Sequence, residues 1–587
     1  MNSQGGAPPR LDPHGGGAFL FVPVPAAEVA TPEDLSEEAL AVGEVPQAFL
    51  EREVRPALPA LEGHDLGELR RLMARMGELG LLGVEVPRAY GGLELGRTVA
   101  TLVTERLAPA GGLAVAQGAH AGLATLPLVY FGTEDQKRRY LPRLVTGEWV
   151  GAYALTEPGF GSDALHARTR AALRPDGEGY VLTGEKQWIT NAGIADLFVV
   201  FAQLEGEGFT AFLVERAFPG VDTGGEYEKM GLWSSSTRPL VLNGAVVPTA
   251  NLLGRPGRGH EVALGILDVS RLNLGAGAVG SAKRLLEVAA RYALGRIQFG
   301  RPIARFGLVQ EKLAEMQVRT WALEAAVYRT AGLIERAGER GIAADEASAA
   351  AEYAVECAIA KVLGSEVLGF VADEALQIHG GYGYMREYEV ERAYRDARIQ
   401  RIFEGTNEIN RLTIPDTLMR RIRRGRIPFA DLARALEGEI AALRRPAFFD
   451  APLAAERWRV DGARRAAAAA AALALERFGA DLAEEEEVLG AVADMAIELF
   501  AAESALVRAE RARGTAREEE YADLAALAVD GAVSRLRAAA VRVLAHSAEG
   551  DRRALALATL ERLTAFPPLD AISLRRRVAS RVLAAYA

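Results

Sequence analysis

The sequence predicts a multidomain α+β protein: an N-terminal α-helical domain, a central antiparallel β-domain, a C-terminal four-helix bundle and an extra C-terminal all-α domain. Three observations predict it. LGELRRLMARMGELG (66–80) puts Leu69, Leu72, Met73 and Met76 on one helical face. Between 150 and 253, short runs rich in Val, Phe and Leu alternate with Gly and Pro, the pattern of strands and turns. From Gly259 onward the chain returns to long helical periodicities.

The elements follow in order. Residues 1–34 open on MNSQGGAPPRLDPHGGG and read as a flexible N-terminal tail. Residues 35–149 read as helical. The helix over 66–80 stops at Gly80 and the following GVEVPRAYGG, and TEDQKRRYLPRL opens on Thr133 with acids first and bases later, as the helix dipole favours. Residues 150–257 form the β-domain, with a turn at Asp176-Gly177 and strands in DLFVVFAQL, FTAFLVE and PLVLNGAVV. Residues 258–420 hold four long helical patterns, enough for a bundle. MRRIRRGRIP (419–428) reads as the start of a basic linker over 421–428, and 429–587 as a helical extension without a chemical motif.

Bulk properties exclude several functions. A net charge of −10 argues against non-specific nucleic-acid binding. The one cysteine, Cys357, rules out an intrachain disulfide, and seven histidines without metal spacing argue against a protein metal site. The start has no apolar core of a secretory signal, so the expected location is cytoplasmic. No window is read as a membrane span.

Five stretches carry chemistry, each beside a plainer reading. YALTEPGFGSD (153–163) offers small and hydroxyl residues to an oxygen-rich ligand edge, or is a polar turn. KQWITNAG (186–193) sets an indole beside a hydroxyl, suited to a flat heterocycle, or holds a core Trp. GRIQFG (295–300) could meet a phosphate with Arg296 and a ring with Phe299, or end a helix. LQIHGGYGY (376–384) allows close backbone approach, or stops a helix. RIQRIFEGTNEINR (398–411) places one acid, Glu404, at a break between basic helical segments. Gly405 could close the first helix and Thr406 cap the second.

In this order and spacing, over about 40–420, these stretches resemble the acyl-CoA dehydrogenase family. The resemblance implies FAD bound by Tyr153, Leu155, Thr156, Gly161, Ser162, Trp188, Thr190, Thr406 and Glu408. It implies that Arg296, Phe299, Gln377, Gly380 and Gly381 reach the FAD of a neighbouring subunit, hence a homo-oligomer. Glu404 matches the family's catalytic base. The family's alternative acidic site falls in LDVSR (267–271), where this chain has Ser270. Ser162, Asp268 and Arg271 match residues near the CoA arm and site wall, with Phe403 and Gly405 beside the thioester. A carboxylate must take the weakly acidic α-proton, and an apolar slot around it would raise its pKa towards working pH.

The helical extension resembles the very-long-chain branch, as do GGGAFLF, GAHAGLATLP and ARFGLVQEKLAEM. That branch implies a dimer in preference to a tetramer and electron-transfer flavoprotein as acceptor in fatty-acid β-oxidation. Ala114 and Gly118, small and one turn apart, leave room for a long acyl chain in the substrate pocket. In 427–449, Phe429, Leu432, Leu436, Ile440 and Leu443 share a helical face, which would dock on the protein or give peripheral contact with a bacterial inner membrane. Two other readings remain open at this point: an acyl-CoA oxidase, and a non-catalytic assembly scaffold.

Overall fold

The computed structural model describes residues 11–444, 449 and 451–587. Seven helices build the N-terminal domain: α1 (Glu37–Phe49), α2 (Arg55–Glu62), α3 (Leu66–Glu78), α4 (Arg97–Leu107), α5 (Gly112–Gly118), α6 (Leu126–Phe131) and α7 (Glu134–Thr146). Leu69, Leu72, Met73 and Met76 are buried on one face of α3, whose N-terminus Asp65 caps. Thr133 and Gln136 form a reciprocal capping box that starts α7. Ala119–Thr125, between α5 and α6, is a π-helical segment. The wider turn displaces a face of the helix where it borders the site.

The central domain has strands β1 (Gly151–Ala154), β2 (Arg170–Leu173), β3 (Gly179–Thr190), β4 (Leu197–Leu204), β5 (Gly208–Glu215), β6 (Val221–Thr223), β7 (Thr237–Pro248) and β8 (Leu252–Leu253). The sheet runs β6-β7-β3-β2-β4-β5-β8, with β1 also paired to β4. Most pairings are antiparallel, but β1 and β2 both run parallel to β4, so the sheet is mixed. The cause lies in long connections: residues 155–169 carry the chain from β1 to β2 without a hairpin, which frees the strand direction. β3 is irregular between Lys186 and Ile189. Such a bulge re-aims side chains, and Trp188 sits in it with φ 56°.

The bundle comprises α8 (Gly259–Gly295), α9 (Gly307–Glu335), α10 (Glu346–Glu352), α11 (Ala354–His379), α12 (Glu389–Arg398) and α13 (Asn407–Arg423), four of them long. A hairpin of β9 (Ile297–Gln298) and β10 (Arg301–Pro302) follows α8. Its two turn residues, Phe299 and Gly300, both have positive φ, as a tight hairpin requires. Beyond lie α14 (Phe429–Ala442), α15 (Ala454–Phe478), α16 (Glu486–Arg511), α17 (Glu518–Ser547), α18 (Gly550–Thr564) and α19 (Ala571–Ala585). Bundle and extension share one continuous apolar core.

Three expectations are corrected. Residues 11–34 are a fitted arm, and only 1–10 of the expected tail lie outside the described residues. Phe19 packs edge-on against Phe500 at 4.8 Å, and the Gly16 and Gly17 N–H groups donate to Glu352 and Glu356. A Cβ at Gly16 would lie 2.1 Å from the Glu352 carbonyl, so glycine here serves close approach. The basic run is no free linker either: helix continues to Arg423, Arg421 is buried against the Gly16 and Glu352 carbonyls, and Arg426 pairs with Glu352 at 2.6 Å. Lastly, residues 112–131 and 259–295 are long and apolar enough by composition to span a membrane, although both are mostly buried core. On α14 and its C-terminal cap, Phe429, Leu432, Ile440 and Leu443 are partly buried against the protein, with Phe429 6.0 Å from Phe21; residues 445–448 of that stretch lie outside the described residues.

An ionic chain ties these units. Arg508 (α16) meets Glu33 of the arm and Glu324 (α9), each at 2.7 Å. Lys283 (α8) links Glu324 to Glu105 (α4), which also accepts the Tyr328 hydroxyl. Arg508 and Glu324 are buried. Burial pushes the Glu324 carboxyl up, but Arg508 and Lys283 outweigh it and hold the carboxyl well below the usual range. Its stabilisation is therefore complete above the unfolded carboxylate value and disappears as pH falls through the depressed one. Arg508→Ala leaves buried acids uncompensated and should destabilise the protein by about 3–5 kcal/mol. Thermal unfolding at neutral pH should show a clear drop in midpoint, and the gap to wild type should narrow on acidification.

Candidate active site

Glu404 lies in the turn between α12 and α13. It has φ 58°, a left-handed conformation rare for a residue with a side chain, and Gly405 follows at φ 79°. Side chains from two other turns hold this pair. Lys361, fully buried in α11, donates to the Gly405 carbonyl at 2.7 Å and to Asn407 Oδ1 at 2.8 Å. Asn410 Nδ2 donates to the carbonyls of Glu404, Gly405 and Thr406 at 3.3, 2.8 and 3.0 Å. Thr406 caps α13 by accepting from the Ile409 N–H, and Glu408 is exposed in its first turn. Among the described residues, the Glu404 and Gly405 N–H groups donate to nothing. Successive free N–H groups in such a turn form a small anion-binding concavity.

The carboxylate faces a cavity of about 210 Å³. Glu404 Oε2 is shut off from solvent and has no hydrogen-bond partner. Burial raises the Glu404 pKa above the ordinary carboxylate value, while Ser270, Arg271 and Lys361 pull the other way. The same cavity is lined by Phe403, Ser270, Thr190, Ala114 and Gly118, so the fold gathers expected residues from four elements. A Cβ at Gly118 would meet nothing within 4 Å. Asp268 and Arg271 do not line the cavity: they form a buried pair at 2.7 Å, with Arg271 Nη2 close behind Gly405. Burial pushes the Asp268 carboxyl up to about 6.

The remaining expected residues fall into two groups. Thr156, Gly161 and Ser162 lie on the connection after β1, with Gly161 and Ser162 exposed. Lys186, fully buried, anchors this connection through the Leu155 carbonyl and Glu157, which in turn accepts from the Arg168 and Thr169 backbones. The Leu155 side chain is buried in the core, and the part-buried Tyr153 packs edge-on against Phe201 with its hydroxyl near enough to Glu404 to feel that charge. Trp188 leaves its indole 58% exposed beside Thr190, an unusual position for so large an apolar ring. The second group lies apart: Arg296, Gly380 and Gly381 line a separate surface pocket, Gln377 is exposed nearby, and Phe299 is 92% exposed. Gly161, Gly380 and Gly381 all have open space where a Cβ would stand. The exposed Trp188, Thr190 at the cavity and the open connection at Gly161 would suit a flat flavin, so the first group fits that cofactor.

Four family models match along the chain. Models described as acyl-CoA dehydrogenase N-terminal, middle and C-terminal domains match residues 36–148, 152–245 and 257–419. A further acyl-CoA dehydrogenase C-terminal domain model matches 462–562, inside the extension. The chain belongs to the acyl-CoA dehydrogenase family. It is 44% identical over 579 residues to a probable acyl-CoA dehydrogenase of Bacillus subtilis, covering 97% of this chain and 98% of that one. It is 40% identical to the human mitochondrial very long-chain specific acyl-CoA dehydrogenase over 347 residues, 57% of this chain and 51% of that one. Its fold superposes with a TM-score of 0.95 on an acyl-CoA dehydrogenase from Bacillus anthracis complexed with FAD, at 45% identity, covering 98% and 100% of the two chains.

This acyl-CoA dehydrogenase is an FAD-dependent oxidoreductase, and FAD supplies the hydride acceptor. The chain's own residues do the rest. Glu404 faces the cavity with a raised proton affinity, which suits its carboxylate to taking an α-proton. The free N–H groups of its turn can stabilise charge growing on a thioester oxygen. Lys361 and Asn410 are positioning residues that hold the turn, and the motif reading missed both. A lone lysine inside the apolar run CAIAKVLG was the available signal. Burial pushes the Lys361 pKa down to about 8, with Glu404 acting in the opposite direction. Glu404→Gln should abolish flavin bleaching by acyl-CoA with FAD still bound. Because its pKa is raised, bleaching should speed up as pH climbs past the ordinary carboxylate range. Lys361→Met removes a cation that favours the charged base, so this limb should move to higher pH and the plateau rate fall by roughly tenfold or more. Stopped-flow absorbance across pH reads both.

Proposed function

We propose that this acyl-CoA dehydrogenase converts long-chain acyl-CoA to trans-2-enoyl-CoA in β-oxidation and passes electrons to electron-transfer flavoprotein. The length of the cavity carries the reading. Its lining follows one face of α8 from Ser270 through Asn273, Gly277 and Ser281 to Arg284. It follows the facing wall from Glu404 through Gln400, Ala397 and Ala393 to Glu389. At 1.5 Å per residue, Ser270 to Arg284 spans about 21 Å. An extended chain advancing about 1.2 Å per bond fills that with roughly 16–18 carbons. Ala114, Gly118 and Gly277 keep the bore open.

A homodimer is the assembly that fits best. The extension covers one side of the bundle, with Tyr521 packed on Trp321 and Arg575 paired with Glu315. The Arg296, Phe299 and Gly380 surface stays free for one partner that would share the cofactor. A cytoplasmic location goes with this reading. The partly buried apolar face of α14 favours docking on the protein itself over a peripheral membrane role.

Anaerobic mixing with saturated acyl-CoAs from C4 to C20 should bleach the flavin fastest for long chains; bound flavin that no acyl-CoA bleaches would overturn the proposal. Gly118→Phe should fill the bore and shift the optimum to shorter chains, with rates on long chains lowered by roughly tenfold or more. Light scattering coupled to size exclusion should give the mass of two chains.

A further inference from the structure

The far end of the acyl channel is charged where a chain terminus would lie. Arg284 and Glu389 close it with a two-bond ion pair at 3.0 and 2.8 Å. Asp396 accepts the Leu232 N–H at 2.5 Å, and burial pushes its carboxyl up to about 6. Arg392 lines the same end, half-buried, and among the described residues it makes no hydrogen bond, ion pair or ring contact. Its charge is felt by both Glu389 and Asp396, yet Glu389 is already engaged by Arg284. Beyond, Arg284, Glu389 and Arg392 also border a second, polar cleft of about 1150 Å³, so this end of the channel adjoins polar surroundings. A hydrocarbon terminus would meet an unpaired guanidinium here, an unfavourable match. A carboxylate would find a guanidinium suited to charge-assisted hydrogen bonds.

We propose that the distal end of the channel is a subsite for a carboxylate at the ω end of the acyl chain, held by Arg392, so that CoA monothioesters of long-chain dicarboxylic acids are also substrates. The proposal rests on the long-chain reading of the channel. It adds no chemical step: the α-proton still goes to Glu404 at the other end.

The test compares anaerobic flavin bleaching by hexadecanoyl-CoA and by the mono-CoA thioester of hexadecanedioic acid. Wild type should be bleached by both at rates within roughly threefold of each other, since a paired terminal charge carries little penalty. Arg392→Met should lower kcat/KM for the dicarboxylic thioester relative to hexadecanoyl-CoA by roughly tenfold or more, and Arg392→Lys should recover most of the loss. Wild type bleached by hexadecanoyl-CoA alone, or a ratio unchanged in Arg392→Met, overturns the subsite and leaves the long-chain reading standing. Bleaching by neither thioester overturns the long-chain reading and the subsite with it.

Discussion

Two consecutive left-handed residues set the chemistry of this protein. A glutamate with φ 58° is strained by its own Cβ, and strain of this kind persists only where the surroundings over-determine it. Here they do. Lys361 reaches from α11 to the Gly405 carbonyl, and Asn410 reaches back from the first turns of α13 to three carbonyls in succession. The turn satisfies its carbonyls inward and leaves its N–H groups free. It also aims the carboxylate into the cavity, where burial raises its proton affinity. Position, basicity and oxyanion contact thus come from one backbone geometry.

The channel is a consequence of how helices meet at that turn. One face of α8 and the wall leading back from Glu404 along α12 run side by side from the base to the Arg284–Glu389 pair. Small residues on α5 and the π-helical segment after it keep the third wall back. The flavin-side elements are placed with comparable care. A bulge turns Trp188 outward, and a buried Lys186–Glu157 pair shapes the connection after β1. Burying a lysine and a glutamate is costly unless each is well bonded, and both are.

The extension is part of the same body as the bundle. The arm at residues 11–34 threads between them, and Arg508 joins arm, bundle and extension at one guanidinium. That explains why the glycine-rich start and the arginine run at 419–428 misled a local reading. Gly16 and Arg421 make contacts with groups hundreds of residues away in sequence, which composition cannot reveal.

What the sequence determined by itself was local. Periodicity marked the helices and strands, and the motif order around Glu404, Trp188 and Gly380 marked the family and the chemistry. Each of those signals depends on neighbours within a few residues. The tertiary structure decided what depends on distant ones. It showed that Leu155 turns inward, that Asp268 and Arg271 pair behind the Glu404 turn instead of lining the cavity, and that β1 and β2 run parallel to β4. It also revealed Lys361 and Asn410 as the holders of the Glu404–Gly405 turn. A hydrogen bond from α11 to a carbonyl 44 positions later leaves no periodic trace in the chain. Only packing brings the two together.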